Sequence, residues 1–254
     1  MPGQDPPPQP PRAAAAVGFV LAPFVRRRSF RTFPVVTDAE FVPFPDRYVP
    51  PVPPEQALAT FHDALRRRRS VREFSDRPVP RSTIEWLVRC AHTAPSGANK
   101  QPWRFVCVQN PDVKARIRAA AEQEEREFYE RRANDEWLRD LAPLGTDETK
   151  EFLTVAPWLV VVFQLTKTDD GGQVYYLKES LGLACGMFLA AAQLAGLATL
   201  THTPSPMKFL GDVLHRPEHE RAFLLIPVGY AADDCMVPKK ALERRPLDEV
   251  MTVV

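Results

Sequence analysis

The chain has 254 residues, 44% of them hydrophobic, which is enough to bury a sizeable core in one domain or in one domain with an appendage. Its 33 basic and 32 acidic residues leave a net charge of +1, which excludes the broad basic footprint of a nucleic-acid binder or a membrane-surface protein. Cys90, Cys107, Cys185 and Cys235 form no CxxC pair and sit mostly in apolar surroundings, so reduced, buried thiols in a cytoplasmic protein are expected rather than a disulfide framework.

Six of the 27 prolines fall in the first twelve residues and six more lie at 43, 45, 50, 51, 53 and 54, so the start cannot sustain a helix or a central strand. Residues 1–54 are read as a disordered leader and extended arm, and residues 55–254 as the folded domain. The apolar run 13–24 is too short to span a bilayer and contains Pro23, which argues against a signal peptide or anchor. Leu58, Phe61, His62 and Leu65 predict a helix over 57–68 that delivers the arginine run 66–69 at its end. Ser82 is the expected cap of a second helix over 83–93, stopped by Pro95. A short strand over 105–108 follows, then a long charged helix opening at Asp112 and reaching Arg132. The nearly continuous apolar run 156–165 predicts a central strand buried on both faces. Twenty uncharged residues, 181–200, could span a membrane by length. Their glycines and Gln193, with Lys178 and Glu179 just before, favour a core helix ending near Gly196 and running into a strand over 197–203. A further strand is expected over 222–230. Mixed helices and strands, with too few strands for a barrel, give an α+β or α/β sandwich.

Three groups of residues carry chemistry. Arg68, Arg69 and Ser70 supply cationic forks and a hydroxyl at a helix end, which is what a phosphate needs; Arg244 is a distant candidate for the same anion. A basic run taken alone is more often a solvated face. The loop Pro95-Ser96-Gly97-Ala98 gives a turn whose backbone can approach a planar ring, because Gly97 has no side chain, although it also reads as an ordinary helix-ending loop. Thr201 and Thr203 flank His202 and face the same way if the segment is extended. In the charged helix Glu125 and Tyr129 are four apart and share a face, so with Lys150 they could clamp an amino-acid zwitterion, although spacing of this kind taken alone more often marks a solvated acidic helix. No GxGxxG follows a strand, and neither a P-loop nor a GxSxG elbow is present. His215 and His219 are separated by Pro217 and lack a third ligand, so no metal site is assigned.

These motifs together resemble the nitroreductase-like flavoproteins and, within them, the iodotyrosine deiodinases. The resemblance rests on Arg68-Arg69-Ser70-Val71-Arg72, Thr93-Ala94-Pro95-Ser96-Gly97-Ala98, Pro102-Trp103, Tyr175-Tyr176, Ala184-Cys185-Gly186, Thr201-His202-Thr203-Pro204, Pro227-Val228-Gly229-Tyr230 and Pro246-Leu247, and runs from about Phe41 to the C-terminus. It implies a nitroreductase-like fold, a mostly antiparallel sheet flanked by helices, in an intertwined homodimer with FMN sites at the interface. It also implies that Arg68, Arg69, Ser70 and Arg244 hold the phosphate and ribityl chain, with Arg72 near the flavin pyrimidine. Pro95, Ser96, Gly97, Thr201 and His202 would line the flavin, and Thr203 would hydrogen-bond N5 and favour one-electron delivery over hydride transfer.

The same resemblance makes 122–150 an active-site lid in which Glu125 takes a substrate ammonium, while Tyr129 and Lys150 take its carboxylate. The backbone N–H of Ala98 would meet the phenolate of a halotyrosine. The implied reaction is reductive dehalogenation, with NAD(P)H or a flavin reductase as electron source. A general nitroreductase or quinone reductase, needing no zwitterion clamp, is the alternative, and a protein that merely sequesters flavin or halotyrosine is a third. The vertebrate relatives carry an N-terminal membrane anchor, whereas this leader is Pro-rich. His202 stands where threonine is common in the family.

Overall fold

The computed structural model describes residues 39–44 and 47–254, and the chain divides into one unit ending at Val49 and a second from Pro50 to Val254. The basic triplet 26–28, the apolar run 13–24 and most of the expected leader lie outside the described residues. In the first unit, residues 39–44 and 47–49 have no regular secondary structure, and the guanidinium of Arg47 lies 5.6 Å from the centre of the Phe44 ring.

The second unit is organised by β2, Trp158–Leu165, whose apolar run is divided by the two-residue period of a strand. Val160 and Val162 face one side, while Leu159, Val161 and Phe163 face the other, and all five are fully buried. β1, Trp103–Val108, and β4, Glu220–Gly229, pair antiparallel on either side of β2, and the two-residue β3, Ala198–Thr199, pairs with β4. The sheet order is β1-β2-β4-β3. Helices α2, Arg81–His92, and α6, Leu177–Leu194, cover one face, packing Ile84, Leu87, Leu181 and Phe188 against Ile226 and Val228. Helices α3, Pro111–Glu127, α5, Phe152–Val155, and α7, Lys208–Val213, cover the other, with Ile117, Leu153 and Leu210 meeting Leu225, and the short α4, Asp135–Leu141, lies in sequence between α3 and α5. The architecture is the expected α+β sandwich, a fully antiparallel sheet between two helical layers.

Local differences from expectation have physical causes. Helix α1, Pro54–Leu65, begins three residues early because proline is tolerated in a first turn, and it ends before the arginine run, which forms the following turn. Helix α2 starts at Arg81 after Pro80 with no side-chain cap, so Ser82 is not its cap, whereas Asn110 does cap α3, accepting from the N–H groups of Asp112 and Val113. The strand expected over 197–203 shrinks to β3 and an isolated bridge between His202 and Leu225. Pro227 lies opposite the gap and has no N–H to continue the ladder. The segment 181–200 is helical only to Leu194, and no helix among the described residues is long and apolar enough to cross a membrane.

All four cysteines are unpaired. Cys185 is buried and Cys107 half-buried, and burial pushes their thiols up to about 12 and about 11, so neither offers a thiolate at neutral pH. Cys90, by contrast, is exposed on α2, against the expectation of burial.

Candidate active site

The turn after α1 is pinned to the sheet edge: the N–H of Val71 donates to the carbonyl of Thr199 at 3.1 Å, and Ser70 forms a parallel bridge with Thr199. This places Arg68 and Arg69 beside Arg244, which is carried by the C-terminal segment after a short turn at Lys239–Leu242. Arg68 is half-buried, and burial first, then the charges of Arg244 and Arg69, pull its pKa below the usual arginine value. Among the described residues its guanidinium has no ion pair or hydrogen bond, while Arg69 and Arg244 donate only to nearby carbonyls. Three converging cations without an anion are an incomplete arrangement that a phosphate would satisfy.

Arg72, two residues beyond Ser70, borders a cavity of about 300 Å³ whose walls come from distant parts of the chain. Glu125 sits in the last turn of α3, Tyr129 in a π-helical turn at Phe128–Arg132, and Lys150 just before α5. The π turn widens the helix at the point where Tyr129 must follow Glu125 onto the cavity wall, as such turns often do at functional sites. Arg132 bridges back across it to the Glu124 carboxylate at 3.0 Å. Lys150 is 5% exposed; its Nζ lies 3.3 Å from Oε2 of Glu125, donates to the carbonyl of Asp147, and stands 6.0 Å from the centre of the Tyr129 ring. The Lys150 backbone N–H donates to Oε1 of Glu122 at 2.9 Å, and the same oxygen accepts from Nε of Arg118, so the segment carrying Lys150 is tied to α3. Tyr129 donates from its hydroxyl to Oγ1 of Thr146 at 3.0 Å.

Burial raises the pKa of Glu125 although the Lys150 charge and hydrogen bond draw it down, and burial also raises that of Tyr129, keeping a neutral phenol as donor. Half-buried Arg72 faces the same cavity and has its pKa lowered by burial, against the opposing pull of Tyr129 and Asp147. Thr201 and Thr203 reach the cavity from exposed positions, and the buried His202 between them also lines it, edge-on to Phe152 at 5.5 Å between ring centres and with Nε2 4.0 Å from Oε1 of Glu125. Phe128, Trp137, Leu141, Phe152 and Leu200 supply the apolar wall.

Sequence reasoning did not find Thr146, Glu122 or the edge-to-face pair Phe128 and Trp137, whose ring centres are 4.8 Å apart. A tryptophan stranded in the charged stretch 130–140 was the available signal.

The 95–98 loop does not border this cavity within one chain. The close approach that Gly97 permits is to Tyr175 and Tyr176: a methyl on Gly97 would lie 2.9 Å from the Tyr175 carbonyl and 2.7 Å from the Tyr176 ring. Ala98, Asn99 and Gln101 hold positive φ of 49°, 52° and 48°, a concentration of strained backbone typical of a segment that contacts a ligand.

His202 gives the fold an acid sensitivity. Burial first, then the charges of Lys150 and Arg72, hold its pKa down to about 3. The unfolded ring takes up its proton below the ordinary histidine value and the folded ring does not, so the stability contributed by a neutral His202 is complete above that value and is lost as pH falls towards 3. Chemical denaturation of the wild type and His202→Leu across this range should show the wild type losing up to about 5 kcal/mol more than the variant.

An antiparallel sheet between two helical layers, with an arginine cluster after α1, is a nitroreductase-like scaffold, and the chain belongs to the nitroreductase family, whose model matches residues 65–230. It is 51% identical to iodotyrosine deiodinase of Haliscomenobacter hydrossis over 84% of this chain and 97% of that protein. It is 40% identical to iodotyrosine deiodinase 1 of Homo sapiens over 85% of this chain and 76% of that one. A crystal structure of oxidized iodotyrosine deiodinase bound to FMN and 3-iodo-L-tyrosine superposes with a TM-score of 0.64 at 31% identity, covering 74% of this chain and 96% of that one. A nitroreductase with bound FMN from Bacteroides fragilis shares the fold at a TM-score of 0.57 and 20% identity. These similarities place the chain in the iodotyrosine deiodinase branch of the family.

Proposed function

We propose that the protein is an FMN-dependent oxidoreductase that removes halogen from halotyrosines, iodotyrosine first among them, and releases tyrosine and halide. The observation that carries this reading is the convergence of Glu125, Tyr129 and Lys150 on one wall of the cavity, although Lys150 comes from a segment more than twenty residues beyond the helical stretch that carries the other two. A carboxylate, a neutral phenol and an ammonium at that spacing match a zwitterion, and a nitroaromatic or quinone has no use for them. Glu125 takes the ammonium; Lys150 and Tyr129 take the carboxylate. Arg68, Arg69, Ser70 and Arg244 hold the FMN phosphate end, Arg72 and Thr203 lie at the ring, and Phe128 and Trp137 shed water from the substrate. When bound and reduced, FMN supplies the two electrons that, with a proton, replace the carbon–halogen bond by a carbon–hydrogen bond and free a halide ion.

The 95–98 loop completes the site from a second copy of the chain, with the Ala98 N–H donating to the substrate phenolate. Three features support such a homodimer. Helix α1 buries none of its residues and leaves Leu58 and Phe61 exposed; α6 leaves Leu183, Met187 and Leu194 exposed; and β1 ends the sheet with one edge unpaired. Residues 55–254 form the FMN domain with its lid at 122–150, and residues 1–54 form a leader outside it. NAD(P)H or a flavin reductase serves as electron source, and four unpaired thiols suit the cytoplasm.

The test is anaerobic. The purified protein is loaded with FMN and reduced, 3,5-diiodotyrosine is added, and flavin absorbance is followed while iodide and tyrosine are assayed. Rapid reoxidation with stoichiometric iodide is expected. Reoxidation by nitroaromatics but not by diiodotyrosine would transfer the assignment to a nitroreductase, and binding without turnover would make the protein a carrier.

A further inference from the structure

The clamp leaves one buried polar group in the cavity without a task. His202 is held by its own backbone, which exchanges hydrogen bonds with Leu225 at 2.8 and 3.0 Å, and by the edge of Phe152. Its side chain is 10% exposed, and Nε2, fully buried, has no hydrogen-bond partner among the described residues. That nitrogen points at the ammonium-binding carboxylate, 4.0 Å from Oε1 of Glu125, while the other oxygen of Glu125 is occupied by Lys150 at 3.3 Å. An orphaned buried nitrogen is costly unless something engages it in a working state of the site.

We propose that His202 is the positioning residue of the ammonium subsite, its Nε2–H aimed at Glu125 to hold that carboxylate for the amino group of the ligand. The proposal rests on the halotyrosine reading. Before a ligand enters, Lys150 compensates Glu125. A zwitterion brings a carboxylate that competes for Lys150, and Glu125 is then freed to swing unless another donor holds it. The donor has to be neutral, because an imidazolium would act as a resident counterion and repel the incoming ammonium. The charged groups facing the ring are Glu125 from α3, Lys150 from the segment before α5, and Arg72 from the turn after α1. Two cations and burial keep the ring uncharged, so it can donate without cancelling the charge it orients.

The experiment compares two ligands on FMN-loaded protein: 3-iodotyrosine and its desamino analogue, 3-(4-hydroxy-3-iodophenyl)propanoate. His202→Leu is expected to weaken 3-iodotyrosine by about tenfold and the analogue by less than about twofold, as for loss of one hydrogen bond to a charged group that only the amine uses. His202→Gln, which retains an N–H donor, should recover most of the loss. Equal weakening of both ligands, or no weakening of either, overturns the proposal while leaving wild-type binding of 3-iodotyrosine intact. Failure of the wild type to bind 3-iodotyrosine removes the parent reading and this inference with it. Should the leucine variant not fold, nitrogen NMR of the wild type decides. A neutral ring protonated at Nε2 throughout the neutral range, with a resonance that shifts on adding 3-iodotyrosine but not the analogue, supports the role. An imidazolium, or a ring protonated at Nδ1 alone, overturns it.

Discussion

Replacing Lys150 by alanine is expected to weaken 3-iodotyrosine binding by roughly 100-fold and to destabilise the fold by about 2–3 kcal/mol, while reduction of nitroaromatics by the FMN-loaded protein stays within a few-fold of wild type. The two losses share a cause. Lys150 is almost wholly buried and is the cation nearest the Glu125 carboxylate. Without it, burial dominates Glu125, whose pKa is already raised, and the carboxylate takes up a proton more readily. A protonated Glu125 cannot pair with an ammonium, so both ends of the zwitterion lose their partner at once. The double variant Glu125→Gln, Lys150→Met separates stability from binding. Removing both charges together should return most of the lost stability, because an apolar and amide pair leaves no uncompensated ion, yet affinity should stay low. Calorimetric melting with fluorescence titration on the three proteins checks this. If the double variant binds 3-iodotyrosine as well as wild type, the clamp assignment fails, and if nitroaromatic reduction collapses with Lys150→Ala, the residue serves the flavin rather than the substrate.

The internal Glu125–Lys150 contact also shows how such a site selects its ligand. A zwitterion can replace the contact with two new pairs at little net loss, whereas an amine or an acid alone satisfies one partner and strands the other in a poorly solvated pocket. Selectivity of this kind needs no extra contacts; it follows from the burial of the clamp.

What the sequence revealed divides along physical lines. The central strand β2 was legible because a strand buried on both faces must be apolar at every position, and Trp158 to Phe163 are. Glu125 and Tyr129 were legible as a pair because helical spacing puts residues four apart on one face, although the π turn that brings Tyr129 into place left no trace in composition. For Lys150 the residues alone offer only a lysine that could complete the clamp, since nothing local connects it to a helix more than twenty residues away, and the family resemblance is what singles it out. The short β3 was over-extended because Pro227, on a strand remote in sequence, withholds the N–H that would have continued the ladder. The small residues of the 95–98 loop mark a close backbone approach, and within one chain the groups that Gly97 admits are Tyr175 and Tyr176. A single sequence marks where backbone must come close to something without saying to what.

Glu220 is where the fold itself is most exposed to a single change. It opens β4 with its side chain 2% exposed; its two oxygens accept from Nε and a terminal nitrogen of Arg216 at 2.7 and 2.9 Å, and Arg104 from β1 brings its Nε within 2.7 Å. That last contact is poorly aligned for a hydrogen bond, so it acts by charge, drawing the first residues of β1 towards the start of β4 across β2. Burial alone would raise the pKa of Glu220, but the hydrogen bonds and charges of Arg216 and then the charge of Arg104 hold it below the usual carboxylate value. Glu220→Ala removes the anion both arginines share and leaves Arg104 only its 3.5 Å contact with Asp169; because the arginine side chains are 41% and 26% exposed, the expected cost is about 2–3 kcal/mol, below the range for a wholly buried pair. Glu220→Gln keeps the shape and one acceptor and should cost about half as much. Because the folded pKa is depressed, the difference between wild type and Glu220→Gln should be full at neutral pH and shrink as pH falls through that value, when the wild-type carboxyl also becomes neutral. Denaturant unfolding at neutral and acid pH measures this. A cost below about 1 kcal/mol at neutral pH would mean that Arg216 and Arg104 simply turn to solvent, and that the apolar contacts along β2 hold the sheet's end without help from charge.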